Sequence, residues 1–148
     1  MWFFEGRGIS TIELLPEDAF GFVYCIRHKD TGKFYIGKKN LYSVRTKPLT
    51  QKELAEQAEL KKPGRKKTTK LVTKESDWMS YWGSEPALKE DIKVMGKDQF
   101  ERTIIDVCFS KKQLTYCELK HQIKYGVLES DNCYNSNIAG TYFRKDLL

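Results

Sequence analysis

The chain has 148 residues, of which 40% are hydrophobic and 31% are charged, and its formal net charge is +6. This length suits a single domain with its own apolar core. The sequence contains no run near the ~18 consecutive apolar residues that cross a bilayer, and its first residues lack the basic head and apolar stretch of a secretory signal. We therefore expect a cytoplasmic protein that has no membrane partner.

The four cysteines are scattered along the chain and form no C-x-x-C pair. This spacing argues against a disulfide framework and against a zinc finger. Cys117 and His121 lie four residues apart, on one face of a predicted helix, where they could contribute to a metal site. Because no second pair of this kind accompanies them, buried free thiols are the alternative.

Residues 21–37 predict a β-hairpin. Two runs of β-branched and aromatic residues, 22–26 and 34–36, flank a polar turn that contains Gly32, a pattern typical of paired strands. The preceding residues 9–20 could add an edge strand or a covering arm.

Thr50 and Glu53 match a capping box and predict a helix that continues to about residue 61, before Pro63 and Gly64 interrupt it. The chain from there to Lys74 is predicted to be an exposed loop. It forms part of a stretch with seven basic residues and no acidic one: Lys61, Lys62, Arg65, Lys66, Lys67, Lys70 and Lys74. Nucleic acid would relieve the self-repulsion of these charges, and a solvated loop is the alternative.

Further elements are predicted in the second half of the chain. Ser84 and Gly96 bound a helix over residues 84–95. Residues 100–108 predict a strand, and Ser110 opens a helix that reaches Tyr125. The order of the elements indicates an α+β fold with a small sheet, in a single domain spanning residues 1–148.

The hairpin also carries the most suggestive polar cluster. Tyr24 and Tyr35 belong to successive strands, where a short turn can bring them to one face. Gly37 would allow a backbone or ligand to approach closely. Three cations follow: Lys38, Lys39 and Arg45. These residues suit a phosphate pocket, although paired tyrosines in a hairpin can also be packing residues.

Two motifs in this hairpin resemble the signature of the GIY-YIG nuclease family. They are Phe-Val-Tyr at 22–24 and Tyr-Ile-Gly at 35–37. Arg45, ten residues after Tyr35, resembles the arginine of the family, Glu118 resembles its metal-binding glutamate, and Asn135 resembles its terminal asparagine. The resemblance covers residues 21–135, and residues 81–84 are similar to those of phage-encoded members.

The resemblance implies a small three-stranded antiparallel sheet flanked by helices, with a basic insertion at about residues 46–76. It also implies a metal-dependent endonuclease that hydrolyses DNA phosphodiester bonds with one Mg²⁺ or Mn²⁺ ion. A homodimer would suit cutting of both strands, and a phage protein would act in the host-cell cytoplasm. The alternative is a catalytically silent nucleic-acid-binding module on the same scaffold.

The roles of individual residues follow from the same resemblance. Glu118 would bind the metal and Arg45 the scissile phosphate. Tyr35 is the preferred general base and Tyr24 would orient the water, although the opposite order stays open. Lys38, Lys39 and Arg45 would favour the phenolate. Lys39 is included among the catalytic residues.

The roles of several other residues have an alternative interpretation. Asn135 would position the site through its amide or would only form a turn, and Glu118 could be a solvent-facing helical residue. Trp78, Tyr81 and Trp82 could stack on unpaired bases or pack in the core. The residues expected to bind the DNA backbone are Lys38, Lys61, Lys62, Arg65, Lys66, Lys67 and Lys70.

Overall fold

A computed structural model describes residues 1–60 and 64–147. It divides into two compact units, one formed by Met1–Leu41 with the chain from Asp77 onward, the other by Tyr42–Ser76. The strands are β1 Trp2–Phe4, β2 Arg7–Ile9, β3 Gly21–His28, β4 Phe34–Asn40, β5 Tyr42–Pro48, β6 Thr69–Glu75, β7 Phe100–Cys108, β8 Asn137–Ile138 and β9 Tyr142–Phe143. The helices are α1 Gln51–Glu59, α2 Pro86–Met95 and α3 Lys111–Lys124. None of the helices in the described residues is long and apolar enough to cross a membrane.

The main sheet belongs to the first unit and has five strands in the order β2-β1-β7-β3-β4. The α+β class is confirmed, but the expected three-stranded antiparallel sheet is wrong, because β1 pairs with β7 in parallel and β2 extends the sheet further. The apolar N-terminus explains the difference. Trp2 is completely buried, and its indole N–H donates to the Trp78 carbonyl over 2.7 Å.

The predicted hairpin of β3 and β4 is confirmed, and its alternation separates two cores. Phe22 and Tyr24 face a cluster that includes α2, whereas Val23 and Cys25 face a cluster that includes α3. Successive side chains of a strand point to opposite faces. The sheet is therefore covered on both sides by helices.

The predicted helices are present, with one shift at an N-terminus. Thr50 and Glu53 form the expected capping box of α1, and the Ser110 hydroxyl accepts from the Gln113 N–H at the start of α3. For α2, Glu85 and not Ser84 is the N-cap, and Pro86 is in the first turn. The Ser84 side chain is consequently available for a different contact, described below.

The second unit is an antiparallel pair of β5 and β6 with α1 between them in sequence. The loop predicted up to Lys74 is wrong in its second half, because residues 69–75 form β6. Three of its seven residues, Thr69, Val72 and Thr73, are β-branched, a composition that favours a strand. α1 buries none of its residues. That residues 46–76 are an insertion stays a prediction.

Trp78, Tyr81 and Trp82, which could stack on bases or pack in the core, pack in the core. Trp78 is fully buried, which rules out its stacking on a base. Tyr81 and Trp82 are partly buried against the same core, and Trp82 lies under the Arg102 guanidinium at 4.1 Å.

Candidate active site

Tyr24 and Tyr35 share one face of the hairpin as diagonal neighbours, since Tyr24 pairs with Gly37 and Ile26 with Tyr35. Their ring centroids are 6.1 Å apart. A Cβ atom at Gly37 would lie 2.6 Å from the Tyr24 hydroxyl oxygen and 2.8 Å from the Tyr35 ring. The group that approaches Gly37 closely is thus a phenol of the protein itself, and the glycine of the Tyr-Ile-Gly motif makes room for it.

A polar cleft of about 520 Å³ lies in the first unit. Its lining brings together three of the predicted site residues, Tyr35, Glu118 and Asn135, which come from β4, α3 and the segment before β8. The other lining residues are Ser84, Glu85, Pro86, Gln122, Ser136, Asn137 and Ala139. Tyr24 is 1% exposed and does not line the cleft. The phenol that reaches the cleft is that of Tyr35.

Asn135 joins the C-terminal segment to β4. Its buried side chain accepts from the Ile36 N–H at 3.0 Å and donates to the Ile36 carbonyl at 2.9 Å. Gln122 of α3 donates to the same carbonyl at 3.1 Å. β4 is an edge strand of the main sheet, and these amides satisfy backbone groups that would otherwise lack partners. The motif segment between Tyr35 and Gly37 is therefore held from both sides.

Glu118 is half-buried at the cleft. Burial raises the pKa of its carboxyl, and the positive charge and backbone of Lys38 oppose that rise. The ionised form of a carboxylate that is partly removed from water is stabilised when a cation binds to it. Glu118 is therefore not an ordinary solvent-facing glutamate.

The two phenols hold their protons more tightly than a free tyrosine does. Burial raises the pKa of Tyr24 well above its usual range, and the neighbouring Tyr35 and Tyr81 add to the shift. Burial also raises the pKa of Tyr35, while a hydrogen bond to Ser84, 3.3 Å away, opposes the rise. In the free protein, burial therefore outweighs any effect of nearby cations on the pKa values of the two phenols. That these cations favour the phenolate stays a prediction.

The ammonium groups of Lys38 and Lys39 contact side chains other than the two phenols. Lys38 Nζ donates to the Thr115 hydroxyl at 3.1 Å. Lys39 Nζ lies 2.6 Å from the Asp77 carboxylate and 4.1 Å from the centroid of the Tyr81 ring. The catalytic role expected of Lys39 stays a prediction, as does the DNA contact of Lys38.

The remaining predicted cations that the structure describes lie in the second unit. Arg45 is exposed in the middle of β5, opposite Val72. A groove of about 800 Å³ within that unit is lined by Arg65, Lys66, Lys67 and Lys70, together with residues from β5, β6 and α1. Lys70 is paired with Glu53 at 2.7 Å. Lys61 and Lys62 lie outside the described residues.

The sequence interpretation missed several residues of the cleft. Ser84 was assigned as a helix cap, and Glu85 was not considered, although it adds a second carboxylate to the lining. Gln122 follows Glu118 by four residues, which places both on one face of α3. That spacing is the signal that could have identified Gln122.

The donor groups of the cleft fit a hard divalent cation. The lining offers the carboxylates of Glu118 and Glu85, with serine hydroxyls and amide oxygens beside them. Mg²⁺ prefers oxygen ligands and often uses only one or two carboxylates, because it keeps several of its waters. Glu118 is the residue best placed to hold such an ion, with Glu85 as the second carboxylate.

Comparison with known proteins identifies the family. Residues 2–138 match the family model described as "Putative endonuclease segE, GIY-YIG domain". No curated protein and no solved structure gives a significant match. The match covers both motifs of the hairpin, α3 with Glu118 and the segment with Asn135. The chain therefore belongs to the SegE-type GIY-YIG endonuclease domain family.

Proposed function

We propose that this protein is a DNA endonuclease that hydrolyses phosphodiester bonds in the cleft beside β4 and requires a divalent metal ion, Mg²⁺ or Mn²⁺. The observation that carries the proposal is the meeting of Tyr35, Glu118 and Asn135, residues distant in sequence, around one polar cleft. Membership of an endonuclease family supports the same reaction.

The carboxylate of Glu118 would bind the ion. A divalent ion at this position would neutralise charge at phosphorus and stabilise the leaving oxygen. The raised pKa of Glu118 shows that its ionised form is costly in the free protein. Binding a cation there would remove that cost, and the metal and the ionised carboxylate would stabilise each other.

Tyr35 would contact the attacking water through its hydroxyl. A phenol with an ordinary pKa of about 10 costs about 4 kcal/mol to ionise at neutral pH, and burial makes Tyr35 more costly still. We therefore infer that the Tyr35 hydroxyl is protonated in the free protein. It would act as a base only in the substrate complex, where additional positive charge would lie near it. Tyr24, which does not line the cleft, would fix the position of Tyr35.

Asn135 and the second unit would have supporting roles. Asn135 would position β4 through its two hydrogen bonds to Ile36. Arg45 would bind a phosphate of the DNA through its forked guanidinium. The basic groove of the second unit would bind backbone phosphates, contacts that confer affinity but do not read bases.

Nicking of a supercoiled plasmid tests the proposal. The native chain should convert it to open circles in Mg²⁺ or Mn²⁺ and should be inactive with a chelator. Glu118→Gln should lose about 100- to 1,000-fold in rate, similar to the loss of one group that stabilises a transition state. Glu90→Gln, an exposed glutamate of α2, is the matched control and should cut normally.

Two results would change the assignment. DNA binding by the native chain without any cutting in either metal would favour the silent binding module. Equal cutting by Glu118→Gln and Glu90→Gln would place the chemistry elsewhere. A linear product that forms at a rate proportional to the square of the protein concentration would support the pairing of two chains for the cutting of both strands.

A further inference from the structure

A group of side chains that could hold a metal ion lies between β7 and α3 in the first unit. Asp106 and Cys108 belong to β7 and Cys117 belongs to α3. The carboxylate oxygen and the two sulfur atoms all lie within 4.8 Å of one another. None of the three residues lines the cleft that contains Tyr35 and Glu118. This group, the Asp-Cys-Cys cluster, is therefore separate from the candidate active site.

A β-bulge explains how two of these residues face the helix. The register of β7 against β3 shifts so that Val23 pairs with Asp106 and Tyr24 pairs with Ile104, which leaves Ile105 as an extra residue. A bulge redirects the side chains that follow it. Without the bulge, strict alternation would place Asp106 on the Ile104 face, away from α3.

The chemistry of the cluster selects a thiophilic ion. Cys108 is fully buried and Cys117 is 7% exposed, whereas the Asp106 carboxylate is partly exposed and gives access from solvent. Two thiolates with a carboxylate suit Zn²⁺, whose tetrahedral ligands lie about 3.5–4 Å apart. Small side-chain rotations would close the present separations to that value.

His121 supports the same interpretation. Its Nε2 atom is 3.0 Å from the Asp106 carboxylate, and its buried Nδ1 atom has no hydrogen-bond partner among the described residues. Carboxylates that bind a metal ion are themselves usually hydrogen-bonded by a neighbouring group, which fixes their orientation. His121 would therefore be a positioning residue, one turn along α3 from Cys117.

We infer that Asp106, Cys108 and Cys117 form a second metal site, which binds one Zn²⁺ or a similar thiophilic divalent ion and is oriented by His121. Binding converts both thiols to thiolates, so two protons leave the protein for each ion bound. Cys117 directly precedes Glu118. The ion would thus fasten α3 to the sheet beside the residue that we assign to the hard ion of the active site.

Co²⁺ is the probe for the test, because thiolate ligation gives it a charge-transfer band and tetrahedral ligation gives intense visible bands. The reduced, metal-free full chain should bind one Co²⁺ with both signatures, and Zn²⁺ should displace it. Cys117→Ser should lose about half of the charge-transfer intensity. His121→Ala should bind about 10- to 100-fold more weakly while keeping the band.

Three controls keep the outcome interpretable. Cys25→Ser removes a buried thiol outside the cluster and Glu118→Gln removes the hard-ion ligand, so both should keep the cobalt bands. Asp106→Asn, which changes a partly exposed side chain, should weaken binding at least tenfold even if a cysteine variant fails to fold. No cobalt–thiolate band in the reduced native chain, or unchanged bands in Cys117→Ser and Asp106→Asn, would overturn the inference.

Discussion

The two units of this protein organise their charged groups in opposite ways. In the first, Tyr24 is buried, Tyr35 and Glu118 are partly buried, and burial raises the pKa of all three. In the second, α1 buries nothing and most of the cations are exposed. Bond cleavage requires a few groups held in fixed positions, whereas phosphate binding requires mainly charge. The contrast suggests that rate is controlled by the first unit and affinity by the second.

After the loss of Glu118, the removal of one hydroxyl from the cleft should give the largest effect on the rate. Tyr35→Phe should reduce kcat for nicking by about 100-fold or more, the usual contribution of a group that handles a proton. Tyr24→Phe should cost about tenfold or less, because that phenol does not line the cleft. Single-turnover nicking at saturating protein measures both.

Tyr116→Phe is the control for these variants, since Tyr116 is 66% exposed on α3. A larger loss in Tyr24→Phe than in Tyr35→Phe would reverse the assignment of the two tyrosines.

Filling the space at Gly37 should damage the first unit next. In Gly37→Ala the new methyl group would overlap the Tyr24 hydroxyl and the Tyr35 ring. Overpacking of this kind typically costs about 1–3 kcal/mol, and nicking should fall because both phenols move. Urea unfolding gives the change in stability.

Gly8→Ala provides the comparison, because the atoms nearest to its methyl group would belong to the side chain of Met1, which is 65% exposed and can move aside. Equal stability of the two variants would show that Gly37 is not tightly enclosed.

Removing cations from the second unit should weaken binding and spare the chemical step. The triple variant carries Arg65→Ala, Lys66→Ala and Lys67→Ala. For its binding to duplex DNA, the plot of the logarithm of the binding constant against the logarithm of the salt concentration should have a slope that is shallower by up to about 2.7. Each phosphate that the protein no longer neutralises contributes about 0.9 to this change. The rate at saturating protein should hardly change.

A triple variant of exposed lysines in the first unit, Lys89→Ala, Lys93→Ala and Lys97→Ala, removes the same charge and should leave more of the slope intact. A lower saturated rate in the first triple variant would contradict the division of roles between the units.

The smallest expected effect is a gain in stability. The pKa of Glu118 is raised in the folded protein, so its ionised form opposes folding, and this cost appears as the pH rises through the raised pKa. Glu118→Gln should therefore stabilise the metal-free protein at neutral pH by on the order of 0.5–1 kcal/mol. The gain should disappear below the ordinary pKa of a glutamate.

Thermal unfolding at pH 7 and pH 4 measures that difference. If Glu118→Gln were less stable than the native chain at pH 7 without metal, the half-buried carboxylate would be stabilising the fold and the pKa argument would be wrong.

Local patterns allowed much of the fold to be predicted. The hairpin, the capping box at Thr50, the strand over 100–108 and the helix after Ser110 each depend on residues close in sequence, and all are present. β1 was missed because three residues carry too short a pattern. It exists because Trp2 finds a buried position against Trp78, a contact between residues 76 positions apart.

The sequence by itself determined the family, the two tyrosine motifs and the clustering of positive charge, because these are properties of residue identity and spacing. Only the tertiary structure decided which phenol reaches the cleft, that Asn135 and Gln122 hold the edge of β4, and that Glu85 joins Glu118. It also decided the direction of the pKa shifts. These outcomes depend on which distant groups pack together and how much water they exclude, and no local pattern encodes either quantity.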